Sequence, residues 1–185
     1  MTADRVLLPQ ARQRYSPNQD ERPVGCAVDL LVIHNISLPP GEFGGGWIDD
    51  LFLNRLNAAA HPYFESIHQL RVSAHLLIRR DGELLQYVPL DRRAWHAGHS
   101  CFGDRDACND FSIGIELEGA DDVPYSDAQY RELVTVTHQI FNRFPTITPE
   151  RITGHSDIAP GRKSDPGPAF DWERYRAALS SPVVR

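Results

Sequence analysis

Cysteine is scarce in this 185-residue chain: Cys26, Cys101 and Cys108 are an odd number, with no C-x-x-C spacing. A chain of this length needs no disulfide framework to hold its core, and the count argues against one. Cys101 and Cys108 could pair, yet free thiols in a reducing compartment are the expectation. Long hydrophobic runs are missing as well. The longest apolar stretch near the N-terminus is Val6-Leu7-Leu8, too short for the core of a signal peptide. Nothing approaches the ~20 apolar residues that span a bilayer, so the reading is cytosolic, with no membrane partner. An excess of positive charge is also lacking. Nineteen basic residues stand against twenty-five acidic ones, a net charge of -6 that repels duplex nucleic acid. Arg79-Arg80 and Arg92-Arg93 are pairs only, read as solvated hairpin ends, so no nucleic acid is expected. Internal repeats and low-complexity tracts are absent. What remains is one domain, long enough to bury most of a core, with monomer as the default state.

Apolar patterning then sets the elements. Residues 1–27 carry little periodicity and are read as an extended segment over the surface, with the folded domain spanning 28–180. Val28 to His34 is an apolar, β-branched run that predicts a buried strand. Pro39-Pro40-Gly41 and Gly44-Gly45-Gly46 break it into a loop, and Trp47 to Leu56 has apolar residues at helical spacing. Val72 to Leu90 reads as a hairpin around Asp81-Gly82, a pair that favours tight turns. Ala97 to Asn109 reads as a loop whose Gly98 and Gly103 would permit movement. Ser112 to Glu118 alternates, with Ile113, Ile115 and Leu117 on one face and Gly114, Glu116 and Glu118 on the other. Ser126 to Phe144 is a helix with Ser126 as cap and Gln129 completing a capping box; Pro145 ends it. A short strand is expected within Thr146 to Thr153, a Pro/Gly-rich loop over His155 to Pro168, and a helix over Asp171 to Leu179. Strands mixed with helices in this way predict an α/β fold, a central sheet covered by helices.

Eight histidines are present. His61, His68 and His75 recur every seven residues, but Pro62 interrupts them and helical zinc motifs use shorter spacing. His61 and His68 are read as ordinary residues, and His138 as a surface or half-buried helix position. His34 is placed differently: it ends an apolar strand just before a Gly/Pro loop. Alone, such a histidine is more often a packed core residue than a ligand. The segment Gly154 to Pro168 has Pro or Gly at six positions, which pins a loop carrying His155 and Asp165 ten residues apart. Those two could supply ligands, with His34 a third from an adjacent strand. Two imidazoles and a carboxylate, with a fourth place for water, suit catalytic zinc; structural sites use four protein ligands, usually thiolates. Glu116 is either the solvent half of a strand alternation or a general base. Lys163 is either a solvated loop residue or a cation aimed at a developing oxyanion.

Several blocks together resemble one family. They are His34-Asn35-Ile36-Ser37-Leu38-Pro39-Pro40-Gly41-Glu42-Phe43, Arg71-Val72-Ser73-Ala74-His75, Ala94-Trp95-His96-Ala97-Gly98, Ser112 to Gly119, and Gly154-His155 through Pro168. In register from about Val28 to Trp172, they resemble the AmpD-type 1,6-anhydro-N-acetylmuramyl-L-alanine amidases of the peptidoglycan-recognition superfamily. The resemblance implies a single-domain α/β fold with a central mixed β-sheet flanked by helices. It implies one Zn2+ held by His34, His155 and Asp165, Glu116 as catalytic base and Lys163 as stabiliser of the transition state. It further implies a small-molecule muropeptide substrate, cut between the lactyl group of the anhydro sugar and L-alanine. By the same resemblance the enzyme recycles wall fragments in the Gram-negative cytoplasm, and losing it induces β-lactamase. Asn35, Arg71 and Trp95 are candidate substrate contacts: an amide for polar groups, a cation for a peptide carboxylate, an indole for the sugar. Trp95 reads equally as core. The rival readings are an amidase acting on intact peptidoglycan and a non-catalytic peptidoglycan-binding module. As the resemblance has it, such modules lack the third metal ligand.

Overall fold

The apolar run after Val28 forms the axis of the fold. In the computed structural model, which describes residues 5–180, it becomes strand β3 (Leu30–Ile36), preceded by the short strands β1 (Arg12–Gln13) and β2 (Gln19–Asp20). Helix α1 (Trp47–Phe52), the turn α2 (Phe64–Ile67) and strands β4 (Leu76–Ile78), β5 (Leu84–Gln86) and β6 (Arg93–Ala94) follow. Next come β7 (Cys101–Phe102), β8 (Arg105–Asp106), β9 (Ser112–Glu118), α3 (Asp127–Arg143), β10 (Ile152–Gly154), α4 (His155–Ile158) and α5 (Trp172–Ser180). The main sheet has the order β1-β5-β4-β9-β3-β10. It is mixed: β9 runs parallel to β3 and β4, β10 parallel to β3, and only the β4–β5 hairpin is antiparallel.

The two sheet faces are covered by different material. Ile33, Ile113, Ile115 and Leu117 pack against Leu133, Val136 and Ile140 of α3 and Tyr175 of α5. On the opposite face, Leu30 and Val32 meet Ala97, Cys108, Phe111 and Ile158, while Leu77 and Leu85 meet Ile48, Leu51 and Phe52 of α1. β9 is therefore central and buried at all seven positions. Its Gly114, Glu116 and Glu118 face is covered by chain rather than by water. Glu118 shows what such burial requires. Its carboxylate accepts from Arg79 at 3.1 Å and from the backbone of Gly44 at 2.7 Å and Arg80 at 3.2 Å, which ties the Gly44-Gly45-Gly46 loop to the sheet.

The single α/β domain and its mixed sheet agree with the sequence reading, and so does the capping box of α3, where Ser126 and Gln129 exchange hydrogen bonds. Four details differ. Helix α1 stops at Phe52, because the chain turns through Asn54 in the left-handed region (φ 59°); Leu56 reaches the core from a loop instead. The expected 97–109 loop contains the β7–β8 hairpin, turned at Gly103 (φ 63°). The His155 to Pro168 loop opens with one helical turn, α4, whose Asp157 carboxylate accepts from Gly154 N at 2.8 Å. Residues 5–27 do more than lie over the surface: β1 pairs with β5 at the sheet edge, and Leu8, Ala11, Ser16 and Asn18 are buried. All three cysteines are free.

Candidate metal centre and its cleft

Parallel pairing brings the site together. In the β3–β9 ladder His34 lies opposite Glu116, so the two side chains leave the same face side by side near the strand ends. In the β10–β3 ladder Gly154 lies opposite Ile33, which delivers His155, the first residue of α4, to the level of His34. The rigid loop after α4 then returns Asp165, whose backbone carbonyl accepts from Ser156 N at 2.9 Å. Ligands at the carboxyl ends of parallel strands are the usual outcome of this architecture.

The three candidate ligands converge. His34 Nδ1 and His155 Nδ1 are 3.0 Å apart, and Asp165 Oδ2 lies 3.1 Å from the first and 3.0 Å from the second. Among the described residues this is the one group of His, Cys, Asp or Glu with such geometry. Protonation fits a cation there. Burial lowers the pKa of His34 to about 4 despite the neighbouring Asp165 carboxylate, so the ring is neutral near pH 7. Burial alone would raise Asp165, yet the His155 and His34 rings beside it hold it well below the usual carboxylate range. His155 Nε2 lies 3.1 Å from the Ala97 carbonyl, which only accepts, so the proton sits on Nε2 and the Nδ1 lone pair faces inward. Neutral imidazoles and an ionised carboxylate are the ligating forms. Three of them within 3.1 Å of one another are acceptors facing acceptors, an arrangement that a cation resolves.

The cluster floors a cleft of about 610 Å³, lined among others by Asn35, Trp95, Glu116, Lys163 and Asp165, with Leu38, Phe52, Ile67 and Leu70 along an apolar wall. Glu116 is 8% exposed, and its Oε2 is buried without a hydrogen-bond partner among the described residues. Burial and the neighbouring Asp165 charge push its pKa well above the carboxylate range, with Lys163 pulling back. Lys163 is the only lysine in the chain, and its side-chain ammonium has no hydrogen-bond or ion-pair partner among the described residues. A carboxyl suited to general-base work and an uncommitted ammonium share one cleft with the candidate ligand cluster.

The three candidate substrate contacts fare differently. Asn35 lines the cleft and donates to Asp121 Oδ1 at 2.8 Å. Trp95 lines it too, half-buried, with its indole N–H unpartnered among the described residues. Arg71 does not line it: it is exposed, and its guanidinium folds back onto the carbonyl of Gln69 at 3.1 Å. Sequence reasoning missed three residues that shape the site. His96 is buried 2.9 Å from His34 Nε2, Asp121 holds Asn35, and Arg162 donates to the Ala97 and His99 carbonyls at 2.7 Å. Loop 97–109 is accordingly tied to the site, with Asn109 Oδ1 accepting from both His96 N and Ala97 N. Only Gly114 hinted at any of this: a side chain there would meet the His96 ring at 2.5 Å.

Comparison with known proteins adds the lineage. The profile for N-acetylmuramoyl-L-alanine amidases matches residues 24–168. The 1,6-anhydro-N-acetylmuramyl-L-alanine amidase AmpD of Citrobacter freundii is 58% identical over 180 residues, 97% of this chain and 96% of that protein. A crystal structure of a selenomethionine AmpD derivative superposes with a TM-score of 0.93 at 58% identity, covering 97% of this chain and all (100%) of that one. The amidase AmiD from E. coli, solved with the substrate anhydro-N-acetylmuramic acid-L-Ala-D-γ-Glu-L-Lys, superposes with a TM-score of 0.61 at 29% identity over 85% of this chain and 60% of that one. Family profile, relatives and fold agree with the site chemistry, and the chain belongs to the N-acetylmuramoyl-L-alanine amidases, among the AmpD-type enzymes.

Proposed function

We propose that this amidase hydrolyses the amide between the lactyl group of 1,6-anhydro-N-acetylmuramic acid and L-alanine, with one zinc ion held by His34, His155 and Asp165. The observation that carries the reading is the convergence of those three ligand atoms within 3.1 Å beside a buried, unpartnered Glu116 carboxylate. The names of the relatives supply the substrate class. Bound zinc supplies Lewis acidity and makes a nearby water easier to deprotonate. Glu116, a base whose pKa burial has raised, takes the proton from the attacking water and returns it to the leaving L-alanine amine. Lys163 meets the negative charge that develops on the carbonyl oxygen. Asn35, steadied by Asp121, and Trp95, with its free indole N–H, are the substrate contacts we assign inside the cleft.

A monomer is the working unit we take for this reaction. The described residues include no helix long and apolar enough to cross a membrane. The cytoplasm as the place of reaction rests on the resemblance, and fractionation tests it. The substrate assignment is tested by incubating the enzyme with anhydro- and reduced-muramyl tripeptides and following release of the peptide by mass spectrometry. Faster cleavage of the anhydro form is expected; equal rates on both would remove the anhydro selectivity.

A further inference from the structure

A chain of hydrogen bonds runs from His34 away from the cleft, and its far end fixes its direction. The Cys108 carbonyl can only accept, and Ser112 Oγ lies 2.5 Å from it, so the Ser112 proton is committed there. The Ser112 oxygen is then an acceptor for His96 Nε2 at 3.1 Å, which puts the His96 proton on Nε2. His96 Nδ1 is left with a lone pair, 2.9 Å from His34 Nε2. Reversing the chain would set the Ser112 lone pairs against the Cys108 carbonyl at 2.5 Å, a repulsive contact in a buried place.

The surroundings hold this ring in place. Gly114 leaves the room it occupies, since a Cβ there would come within 2.5 Å of His96 Cγ and Nδ1. Asn109 fixes the backbone on either side of the ring by accepting from His96 N at 3.0 Å and Ala97 N at 2.8 Å. The His75 ring packs edge-on at 5.7 Å between centroids.

We propose that His96, backed by Ser112, is a positioning residue for the metal centre: its Nδ1 accepts the Nε2 proton of His34 and so presents the His34 Nδ1 lone pair to the ligand cluster. The proposal rests on the zinc reading above. It assigns to the segment 96–112 a role in metal affinity, complementing the Ala97 carbonyl that does the same for His155.

The test compares two substitutions. His96→Leu keeps an apolar body of similar size without an acceptor. His96→Asn keeps an oxygen close to the place of Nδ1. Zinc affinity, measured by competition with a chromophoric chelator, is expected to fall about 10- to 100-fold in His96→Leu and to recover to within a few-fold in His96→Asn. In the zinc-loaded wild-type protein, ring-nitrogen NMR is expected to show His96 neutral with its proton on Nε2, a readout that stands even if His96→Leu fails to fold. Wild-type affinity in a folded His96→Leu, no recovery in His96→Asn, or a His96 proton on Nδ1 overturns the proposal. A wild-type protein that binds no zinc overturns the zinc reading with it; zinc binding that His96→Leu leaves unchanged overturns the positioning role alone.

Discussion

Glu116 illustrates how one residue's role follows from its place. On an outer strand it would be the wet half of an alternation. On β9, with β3 and β4 on either side, it loses water, and its Oε2 has no partner among the described residues. A buried carboxyl whose pKa is raised is a base suited to neutral pH. Glu116→Gln is expected to keep one zinc per chain and lose about 10²- to 10⁴-fold in turnover, measured by metal analysis and amide hydrolysis together. His155→Ala and Asp165→Ala are expected to lose the metal as well as the activity, because each removes one of three converging atoms. Metal retained in either variant would show that the ligand set is wrong. These residues were legible because a loop pinned by Pro and Gly gives its polar side chains a reason to converge. His96 was not, since a histidine beside Trp95 carries no periodicity or spacing that separates a core ring from a positioning one. Arg71 stood in a suggestive block, but single-residue position does not determine where a long side chain folds.

Elements were legible in proportion to their length. The 17-residue helix α3 and the seven-residue strands β3 and β9 carry enough period to be read, whereas β1 and β2, two residues each, carry none. Their pairing is a tertiary outcome. The C-terminal end of α1 was misread because apolar spacing continues to Leu56 while the backbone turns at Asn54. At this scale Gly114 is the informative position. Gly114→Ala forces a methyl against the His96 ring, and an overpacking cost of about 1–3 kcal/mol is expected in denaturant unfolding, together with weaker zinc binding. Ser126→Ala, which removes the α3 cap, is expected to cost about 1 kcal/mol and leave zinc binding unchanged. Equal effects of the two on the metal would detach Gly114 from the site.

The whole molecule buries several histidines, and that sets its response to acid. His75 is fully buried, and burial lowers its pKa to about 3, against 6.5 for an exposed ring. Burial depresses His96 in the same direction. The unfolded chain therefore binds these protons first as pH falls. The stability His75 allows is complete above about pH 6.5 and erodes from there towards 3, by at most about 1.4 kcal/mol per pH unit, and His96 acts in the same direction. Urea unfolding of the metal-free protein is expected to show a falling midpoint from pH 7 to pH 5, and a constant midpoint would contradict the burial of neutral rings. The α/β class and the mixed sheet were within reach of the sequence, while the strand order was not, because parallel pairing joins segments more than 80 residues apart, as β3 and β9 do. That order is what sets His34, Glu116 and His155 side by side.

The most direct test of the account is a zinc titration of metal-free enzyme, followed by hydrolysis of anhydro-muramyl tripeptide at each step. Activity should be absent at the start, rise in proportion to added zinc and break at one ion per chain. Full activity without metal, or a break at any other stoichiometry, would contradict a single zinc held by His34, His155 and Asp165.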